Sequence, residues 1–579
     1  MAEVERRYTN RQLADMFEKI ASLLEIKGEV IYKILAYRKA AENLRNYPRE
    51  AIEMLKEGKL QEIPGVGKAI AEKIEELYQT GNLEFLQKLT KEIPLSLIEL
   101  LQVTDLGPKK AYLFWKQAGI SNLAELELAA QEGRLRNLPG MGDKSEAKII
   151  AGIQALQRRT GRTPLGKAFQ FYNELAEYLR KIQSVVRVEP AGSLRRMRST
   201  VGDLDILVAV ENSQYVMDAF IRHPQVVRVM GNGETKSSVE FDNNIQAQIW
   251  AHPPERFGTA LQYATGSKDH NVRLRELALK KGLSLSEHAL TRSDGSEILC
   301  ATEEEVYAAL GLAWIPPELR EDRGEVQQAL TGQMPVLITL PDMRMELHCH
   351  TTWSDGTLTI LEMAEEAIKR GKNLLAITDH SGSLGIAGGL SVEDLQRQRV
   401  EIDAVQEKLG DRIRLLQGSE VEIHADGTLD FPDETLAKLD FVIASLHTSL
   451  RQPREKITER LLKAISNPHV DLIGHPTGRL LPDREGADLD MEAVFQAAVA
   501  NGTALEINAH PSRLDLDDIY ARRAVELGIP LSINTDAHSA SDLDLLNFGI
   551  GTARRGWVQP GRVINTWSEE QLFSWLKRT

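Results

Sequence analysis

Between residues 344 and 579, short apolar runs alternate with stretches of helical periodicity, and each run stops at a polar residue. The runs end at His348, Asp379, Glu420, His447, His475, Asn508 and Asp536. Strands that alternate with helices are typical of parallel βα units, because a crossover helix returns the chain to the start of the next parallel strand. Seven such units predict a distorted barrel of parallel strands, a (β/α)7 arrangement.

The polar residues at these strand ends are of the kinds that bind metal ions. In a parallel barrel the carboxyl ends of all strands meet at one face, so the side chains are expected to converge on one pocket. The nine candidate ligands are His348, His350, Asp355, His380, Glu420, His447, His475, Asp536 and His538. Imidazole and carboxylate ligands without a thiolate cage favour Zn²⁺ or Mn²⁺. Nine ligands are too many for one ion, so we predict two or three ions that share a bridging carboxylate, a site suited to phosphoester hydrolysis.

The alternative interpretation is that these histidines are ordinary residues, as a lone histidine usually is. The chain has 13 histidines, and counting along the sequence places nine of them after residue 344. Six of the nine lie at a strand end or just beyond it, which chance placement does not explain. His424, His469 and His510 lack that placement and are interpreted as ordinary residues.

Residues 1–160 are predicted to be almost entirely helical, because apolar residues such as Leu13, Phe17, Ile20 and Leu24 recur at spacings of three and four. Three glycine turns interrupt this region, with the sequences IPGVGK at 63–68, LGPK at 106–109 and LPGMGD at 138–143. Each turn lies between amphipathic segments. This spacing indicates an internal repeat.

Residues 161–315 mix helical stretches with predicted strands at 185–188, 205–210, 226–230 and 245–250. Asp203 and Asp205 alternate on one strand, so both carboxylates face the same side, as a divalent-metal site for nucleotide phosphates needs. Gly192 and Ser193 can donate hydrogen bonds to a triphosphate, and Arg196 adds positive charge. Two surface acids on an edge strand would show the same pattern. The proline-bearing, charged segment 316–343 is predicted as a linker.

Together these patterns resemble the bacterial family X DNA polymerases that carry a C-terminal PHP (polymerase and histidinol phosphatase) domain. The PHP motifs are HCHTTWSDG at 348–356, TDH at 378–380, GSEVE at 418–422, SLH at 445–447, GHP at 474–476 and TDAH at 535–538. The aspartate pair with its Gly-Ser turn resembles a nucleotidyltransferase palm. The glycine turns resemble helix-hairpin-helix elements, whose backbone N–H groups hold DNA phosphates without reading base sequence.

The resemblance covers essentially the whole chain and implies a multidomain fold. The expected domains are a helical DNA-binding domain at 1–90, a second helix-hairpin-helix region at 91–160, an α+β palm with a thumb-like region at 161–315, the linker at 316–343 and the PHP barrel at 344–579. The resemblance also implies a ligand set for each of three ions. The sets are His348, His350, Glu420 and Asp536; Glu420, His447 and His475; and Asp355, His380 and His538.

The resemblance extends to a nucleotide pocket in the palm. Tyr263, Gly266 and Asn271 match the family's nucleotide-binding helix start, and Arg275 matches a position near the template. The palm aspartates are expected to hold Mg²⁺ or Mn²⁺ together with a dNTP.

One position departs from the family pattern. The family's third palm aspartate falls on Gln248, which the strand alternation directs into the site together with Gln246 and Trp250. Glutamine supplies an oxygen but neither charge nor a base. We therefore predict nucleotide binding with much reduced primer extension, and we expect that Asp242, six residues away, does not substitute.

Lys73 follows the first glycine turn and matches the lysine with which some family members form a Schiff base to remove a 5′-deoxyribose phosphate. An exposed helical lysine close to DNA phosphates is an equally good interpretation. The sequence therefore leaves the lyase role of Lys73 open.

The leading functional hypothesis is a DNA repair enzyme with 3′–5′ exonuclease activity, with abasic-site endonuclease and 3′-phosphatase activity left open and gap filling in doubt. Its expected partners are dNTPs and gapped or nicked DNA with 3′ ends or abasic sites. Two alternatives are a small-molecule phosphatase like histidinol phosphatase and a non-catalytic protein that binds DNA ends. The net charge of −14 disfavours DNA binding by the whole surface, so local geometry must provide it.

Location and assembly follow from simpler features. The polar N-terminus is not a signal peptide, and no apolar stretch is long enough to span a bilayer. Cys300 and Cys349 form no disulfide framework, which favours a reducing cytosol. We expect a cytoplasmic monomer without a membrane partner.

Overall fold

The computed structural model describes residues 8–45, 47, 49–101, 103, 106–158 and 162–576. The chain divides into two compact units, Met1–Thr160 and Gly161–Thr579. The first unit is helical, and the second contains a five-stranded sheet and a seven-stranded barrel. None of the described helices is both long and apolar enough to cross a membrane.

The first unit is a set of helices around one apolar core. The helices are α1 (Asn10–Lys27), α2 (Ile31–Arg45), α3 (Ala51–Lys56), α4 (Lys68–Thr80), α5 (Glu84–Glu92), α6 (Leu97–Leu100), α7 (Pro108–Ala118), α8 (Leu123–Gln131) and α9 (Asp143–Arg158). Residues at the predicted spacing, such as Leu13 and Phe17, are buried in this core, which confirms the helical periodicity. Helix α1 begins at a capping box formed by Thr9 and Gln12 and ends at Gly28 in the left-handed conformation.

The first and last glycine turns have the same form. In each, one turn of 3₁₀ helix (Leu60–Glu62 and Leu135–Asn137) leads to a glycine in the left-handed region, with φ +77° at Gly65 and +73° at Gly140. A long helix then follows, α4 or α9. The middle turn differs, because Gly107 is extended and Pro108 starts α7 directly, a position at which proline is preorganised for a helix.

The second unit begins with an α+β region. Its elements are β1 (Thr163–Pro164), α10 (Leu165–Arg180), β2 (Val185–Pro190), α11 (Gly192–Arg195), β3 (Thr200–Val201), β4 (Leu204–Val210), α12 (Gln214–Ile221), β5 (Val226–Asn232), β6 (Lys236–Phe241) and β7 (Gln246–His252). The sheet order is β2-β4-β7-β6-β5, in which β4 and β7 are parallel and the other pairs are antiparallel. The sequence predicts four of these strands and misses β6, whose buried apolar residues, Val239 and Phe241, are too few to show an alternation.

The α+β region continues through residues 257–343. Its elements are α13 (Phe257–Thr265), α14 (Lys268–Lys280), β8 (Leu283–Leu285), β9 (Leu290–Arg292), β10 (Glu297–Ile298), α15 (Glu303–Ala309) and α16 (Glu325–Thr331). The segment 316–343, predicted as a linker, is ordered and contains α16. The guanidinium of Arg320 is fully buried and pairs with Glu303 at 2.5 Å. Charged residues that suggest a solvated linker in the sequence therefore form buried ion pairs in the fold.

The barrel completes the second unit. Its elements are β11 (Met345–Glu346), α17 (Ile360–Lys369), β12 (Leu374–Ile377), α18 (Val392–Leu409), β13 (Arg414–Glu422), α19 (Asp433–Leu436), β14 (Phe441–Ser445), α20 (Arg454–Ile465), β15 (Leu472–Gly474), α21 (Met491–Asn501), β16 (Ala504–Asn508), α22 (Asp518–Leu527), β17 (Leu531–Asn534), α23 (Leu546–Arg555) and α24 (Glu569–Leu576). All neighbouring strands are parallel and follow chain order. A bridge between Cys349 and Ala537 nearly closes the ring. The predicted barrel of seven parallel strands is confirmed.

The α+β region packs directly on the barrel. Phe169 on α10 meets Phe548 on α23 with ring centroids 5.8 Å apart. Arg555, at the end of α23, donates to the backbone oxygen of Arg196 at 2.8 Å and pairs with Glu321 at 2.8 Å. Both partners of the ion pair are largely buried, and a buried charge requires such a partner. The two candidate sites are therefore parts of one compact unit.

Candidate metal centres and nucleotide pocket

The barrel places its candidate ligands at the carboxyl ends of the strands. Glu420 lies within β13, and the other eight follow the end of a strand. Two have backbone conformations that are rare for residues with a side chain, φ +26° at His475 and +54° at Asp536. Such strained backbone persists only where the surrounding structure holds it, and it is concentrated at functional sites.

Three groups of ligand atoms converge, each with its atoms within 4.8 Å of one another. The groups are His348, His350, Glu420 and Asp536; His350, Asp355, His380 and His538; and His380, Glu420 and His447. The first group is the set expected for one ion. The second contains the set expected for another ion, with His350 in addition.

Glu420 occupies the centre of the cluster. Its Oε2 lies 3.4 Å from Nε2 of His348 and 3.5 Å from Nε2 of His350. Its Oε1 lies 2.9 Å from Nε2 of His475 and 3.3 Å from Nε2 of His447. The two oxygens of one carboxylate thus face different imidazole groups, which is the geometry of a bridging ligand. His475 reaches Glu420 as expected, but the group of converging atoms that contains His447 includes His380 in place of His475.

Many potential metal-binding atoms in this cluster are buried and form no aligned hydrogen bond with a described residue, although several lie within ion-pair distance of one another. They are Nε2 of His348, Nδ1 of His350, Nδ1 of His380, both ring nitrogens of His475 and both carboxylate oxygens of Glu420. An unsatisfied buried polar group costs about 1–3 kcal/mol, and native proteins contain only a few per hundred residues. Seven such atoms in one place fit divalent cations, which would satisfy them together.

Two buried carboxylates support the ligand histidines from behind. Glu506 in β16 accepts from Nδ1 of His348 at 2.8 Å, and its other oxygen accepts from the backbone N–H of His475 at 2.7 Å. Glu422 in β13 pairs with Nδ1 of His447 at 2.7 Å. A carboxylate on one ring nitrogen sets the tautomer of a histidine and leaves Nε2 free for a metal.

Sequence reasoning noted Asp379 as a strand end but missed its role, and it missed Glu506 entirely. Asp379 accepts from Ser354 Oγ at 2.6 Å, Thr351 N at 2.7 Å and Gln398 Nε2 at 2.7 Å, and so it fixes the loop that carries Asp355. The sequence does contain a signal for Glu506, because this glutamate lies in the middle of an otherwise apolar strand. Such a residue is stable only with buried partners.

The electrostatics of the cluster differ from one histidine to another. Burial lowers the pKa of His447, but Glu420 and Glu422 outweigh burial and raise it to about 9. Burial dominates at His350 and lowers its pKa to about 3. Burial also opposes the charge of Glu420, yet the neighbouring histidines hold its pKa well below the ordinary value. Protons on imidazoles thus balance the carboxylates, and bound cations would replace those protons.

The α+β region contains a separate cavity of about 360 Å³ between α11, β4, α13 and α14. The lining residues are Gly192, Ser193, Arg196, Asp203, Asp205, Tyr263, Ala264, Thr265, Gly266, Lys268, Asn271 and Arg275. The cavity therefore brings together both palm aspartates and every residue assigned to nucleotide binding from the sequence.

The glycine turn and the aspartate pair approach each other closely. Gly192 has φ +55°, and a Cβ at this position would lie only 2.0 Å from Oδ2 of Asp205. Burial, together with the charge of Asp203, raises the pKa of Asp205 to about 7. Two acids that repel each other in this way are stabilised in the ionised form by a divalent cation. The residues therefore fit a metal ion here as well.

Gln248 lies in β7 directly beside Asp205 in the parallel β4–β7 register. Gln246 and Gln248 face the less buried side of the sheet, whereas Ala247 and Ile249 are buried, so the predicted alternation is confirmed. Nε2 of Gln248 donates to Oδ2 of Asp203 at 2.5 Å. Gln248, the predicted third palm position, thus carries an amide that donates to a carboxylate oxygen and adds no negative charge.

Lys73 lies in α4, one turn after the first glycine turn. Its Nζ donates to the backbone oxygen of Ala69 at 3.2 Å and lies 5.3 Å from the ring centroid of Phe85. Lys33 Nζ lies 5.4 Å from the same ring, on which the ring of Tyr37 also stacks. The ring of Phe85 is therefore a shared neighbour of Lys73, Lys33 and Tyr37.

Family models match four parts of the chain. They describe a helix-hairpin-helix domain at residues 8–83, a SAM-like helix-hairpin-helix tandem at 97–155, a DNA polymerase beta thumb at 260–321 and a PHP domain at 346–510. The thumb match extends into the segment predicted as a linker, in agreement with the burial of Arg320.

Curated relatives match either the whole chain or the barrel. The chain is 38% identical over 573 residues to the DNA polymerase/3′-5′ exonuclease PolX of Bacillus subtilis (strain 168), covering 98% of this chain and 99% of the relative. It is 32% identical over 233 residues to a protein named "probable phosphatase" of Thermoanaerobacter sp. (strain X514), covering 38% of this chain and 90% of the relative. A probable phosphatase of Caldanaerobacter subterraneus is 34% identical over 225 residues, covering 37% and 82%.

Proposed function

We propose two linked activities for this chain, which belongs to the bacterial family X DNA polymerases that carry a C-terminal PHP domain. The barrel shortens DNA from 3′ ends, and the palm binds a dNTP beside a primer end but extends it slowly. The observation that carries the nuclease activity is the cluster of nine ligands around Glu420, with its unpartnered buried donor atoms. The sequence identity of 38% to a DNA polymerase/3′-5′ exonuclease, over 98% of this chain, supports DNA as the substrate.

In the barrel, His348, His350, Glu420 and Asp536 would hold one ion. Asp355, His380 and His538 would hold another, and Glu420, His447 and His475 would hold a third. Such ions supply Lewis acidity, which makes water nucleophilic near neutral pH and offsets charge on phosphate oxygens. The chain's own contribution is orientation. Glu506 and Glu422 fix the ring nitrogens of His348 and His447.

The burial of the ligands indicates where DNA enters. His348 and His350 are fully buried, whereas the side chains of Asp355 and His538 are 36% and 35% exposed. A strand end therefore approaches from the side of Asp355 and His538. The buried half of the cluster is reached by the phosphate and not by the rest of the DNA.

In the palm, Asp203 and Asp205 would hold the metal that accompanies a dNTP, and Ser193 and Arg196 would contact its phosphates. The third palm carboxylate of the family helps to activate the primer 3′-OH, and Gln248 provides no charge for this task. Arg196 is already positioned, because its guanidinium donates to the backbone oxygen of Thr265 at 2.5 Å. Nucleotide binding is therefore retained and primer extension is weakened.

One assay tests both activities. A gapped, end-labelled DNA is incubated with Mn²⁺, with and without dNTPs, using the wild type, His350→Ala and Gln248→Asp. We expect shortening that is lost in His350→Ala and extension that increases in Gln248→Asp. Shortening that survives in His350→Ala would contradict the nuclease site. Hydrolysis of histidinol phosphate faster than DNA would favour the small-molecule phosphatase instead.

Lys73 is proposed as a Schiff-base nucleophile for 5′-deoxyribose phosphate. The presence of Lys33 at the same aromatic ring supports this, because a second cation in this region can hold a 5′-phosphate. Borohydride trapping on an incised abasic site is expected to give a covalent adduct that is lost in Lys73→Ala and retained in Lys88→Ala. Equal trapping by both variants would leave Lys73 as an ordinary DNA-contacting lysine.

The finer assignments are also proposals. The barrel cleaves at abasic sites and removes 3′-phosphates with the same ions, Mn²⁺ or Zn²⁺, and Mg²⁺ or Mn²⁺ serves the palm.

The domain boundaries at 90, 160, 315 and 343 are kept as expected from the sequence, and the segment 316–343 is an ordered connection between two domains. The protein acts as a monomer in the cytoplasm. Metal analysis of the purified protein and its mass in solution test the ion identity and the monomer.

A further inference from the structure

The loop after β16, residues 509–516, carries an arginine into the barrel site. Nε of Arg513 lies 3.6 Å from Oδ2 of Asp536. The other oxygen of Asp536 faces the metal cluster, 3.1 Å from Nε2 of His350. Arg513 therefore lies beside the ligands, on the side of Asp536 that no predicted ion occupies.

The remaining donors of Arg513 are available. A guanidinium has five N–H donors, and its Nε faces Asp536. Within residues 162–576, its two terminal nitrogens have no protein hydrogen-bond partner. The side chain is 18% exposed, so it is not sealed within the core. A planar pair of N–H donors next to a metal cluster matches the oxygens of a phosphate.

The barrel clamps the loop that carries this arginine. Arg479, after β15, donates from Nε to the backbone oxygen of Arg513 at 2.7 Å and from a terminal nitrogen to that of Leu514. The buried carboxylate of Asp515 accepts from the backbone N–H groups of Thr477 and Gly478, both at 2.9 Å. These contacts fix the backbone on both sides of Arg513.

The palm clamps the same loop from the opposite side. The side chain of Leu514 is fully buried and belongs to the apolar core of the palm, although it comes from the barrel chain segment. Its φ of +48° is rare for a residue with a branched side chain, and such a backbone persists only where the surrounding structure holds it. Pro511 packs so closely on Gly166 of α10 that a Cβ at Gly166 would lie 2.6 Å from Cβ of Pro511.

We propose that Arg513 binds the phosphate that is cleaved in the barrel, and that the palm positions Arg513 through Leu514 and Pro511. This inference rests on the proposed phosphodiesterase function of the barrel. It makes the nuclease site a product of two domains, since packing against the palm sets the position of a residue that contacts substrate. Arg513 acts on the phosphodiester itself, so its effect does not depend on the DNA around it.

The test uses the full chain with Mn²⁺, bis(p-nitrophenyl) phosphate as a small diester and inorganic phosphate as a competitive inhibitor. Arg513→Ala is expected to raise the KM for the diester and the inhibition constant of phosphate by about tenfold or more, as loss of a hydrogen bond to a charged group predicts. Arg513→Lys recovers part of the loss. The bound metal content and the melting temperature stay as in the wild type.

The control is Arg523→Ala, on α22, whose side chain pairs with Glu492 outside the cluster. Unchanged KM and phosphate inhibition in Arg513→Ala would overturn the proposal. A loss of metal in step with activity would also overturn it, because Arg513 would then only hold Asp536. If the wild type and His350→Ala hydrolyse the diester equally, the proposed function of the barrel itself fails, and this outcome is recognised without any Arg513 variant.

The role of the palm is tested from the palm side. Gly166→Ala keeps α10 helical but forces Pro511 to move, so the KM for the small diester is expected to rise about two- to fivefold. Lys167→Ala, at the next position of α10, is the control. If Gly166→Ala and Lys167→Ala have the same KM, the palm does not position the arginine.

Discussion

The barrel site and the palm site are both built from acidic residues at the ends of parallel-paired strands, but they differ in charge. The barrel groups three carboxylates, Asp355, Glu420 and Asp536, with six histidines. The palm groups Asp203 and Asp205 with Gln248, which donates an amide N–H to Asp203. With Gln248 at the predicted third palm position, the palm site has two carboxylates and one neutral amide. The proposed difference in activity between the two sites therefore depends on charge.

The largest effect is expected from removing a ligand at the centre of the barrel site. His350→Ala should reduce 3′–5′ exonuclease activity by about a thousandfold, beyond the 10- to 100-fold typical of residues that merely support a ligand. Time courses on end-labelled DNA with Mn²⁺ measure the rate. His469→Ala is the control, because His469 is not part of the cluster. A similar loss in both variants would point to unfolding and not to the site.

The second largest effect is expected from placing a carboxylate at position 248, which should bring the activity of the palm site close to that of the barrel site. Gln248→Asp is expected to raise primer extension on gapped DNA by about a hundredfold, because a carboxylate can help to activate the 3′-OH. Single-turnover extension with Mg²⁺ and one dNTP measures it. Gln246→Asp adds the same charge on the same face two residues away. An equal gain in both variants, or no gain in Gln248→Asp, would contradict the assignment.

A smaller effect on activity is expected from changing a carboxylate that hydrogen-bonds a ligand histidine of the barrel. Glu506→Gln keeps the size of the side chain but weakens its hold on His348, so exonuclease activity and metal affinity should fall about tenfold. Metal titration followed by activity separates the two effects. Glu492→Gln, on the outer helix α21, should leave both unchanged. Full activity and affinity in Glu506→Gln would show that the cluster does not need its supporting carboxylate.

The smallest effect concerns stability. Mn²⁺ binds the folded barrel and not the unfolded chain, so saturating ion at about 100 times its dissociation constant should stabilise the fold by about 2.7 kcal/mol, a shift of several degrees. Thermal unfolding with Mn²⁺ and after chelation measures this shift. His350→Ala should lose most of it, whereas Gln248→Asp should keep it. An equal shift in His350→Ala would place the stabilising ion elsewhere.

The barrel was predictable because its signals are local. Each βα unit shows its own apolar run and its own terminal ligand, and parallel topology brings the ends together without further information. The aspartate pair and Gln248 were predictable for a similar reason, since alternation along a strand assigns a face. The ordered segment 316–343 was not, because it is held by partners far along the chain, such as Arg555, which pairs with Glu321. The strand β6 was not, because it contains too few buried apolar residues to show an alternation.

The sequence by itself determined the barrel, the palm, the helix-hairpin-helix regions and the identity of the candidate ligands. Only the tertiary structure decided which atoms face one another. It placed Glu420 between two groups of imidazoles, Glu506 behind His348 and Leu514 in the core of the palm. The physical reason is that residue type and periodicity are local properties, whereas contacts and burial between residues on different strands depend on the register and packing of the whole fold.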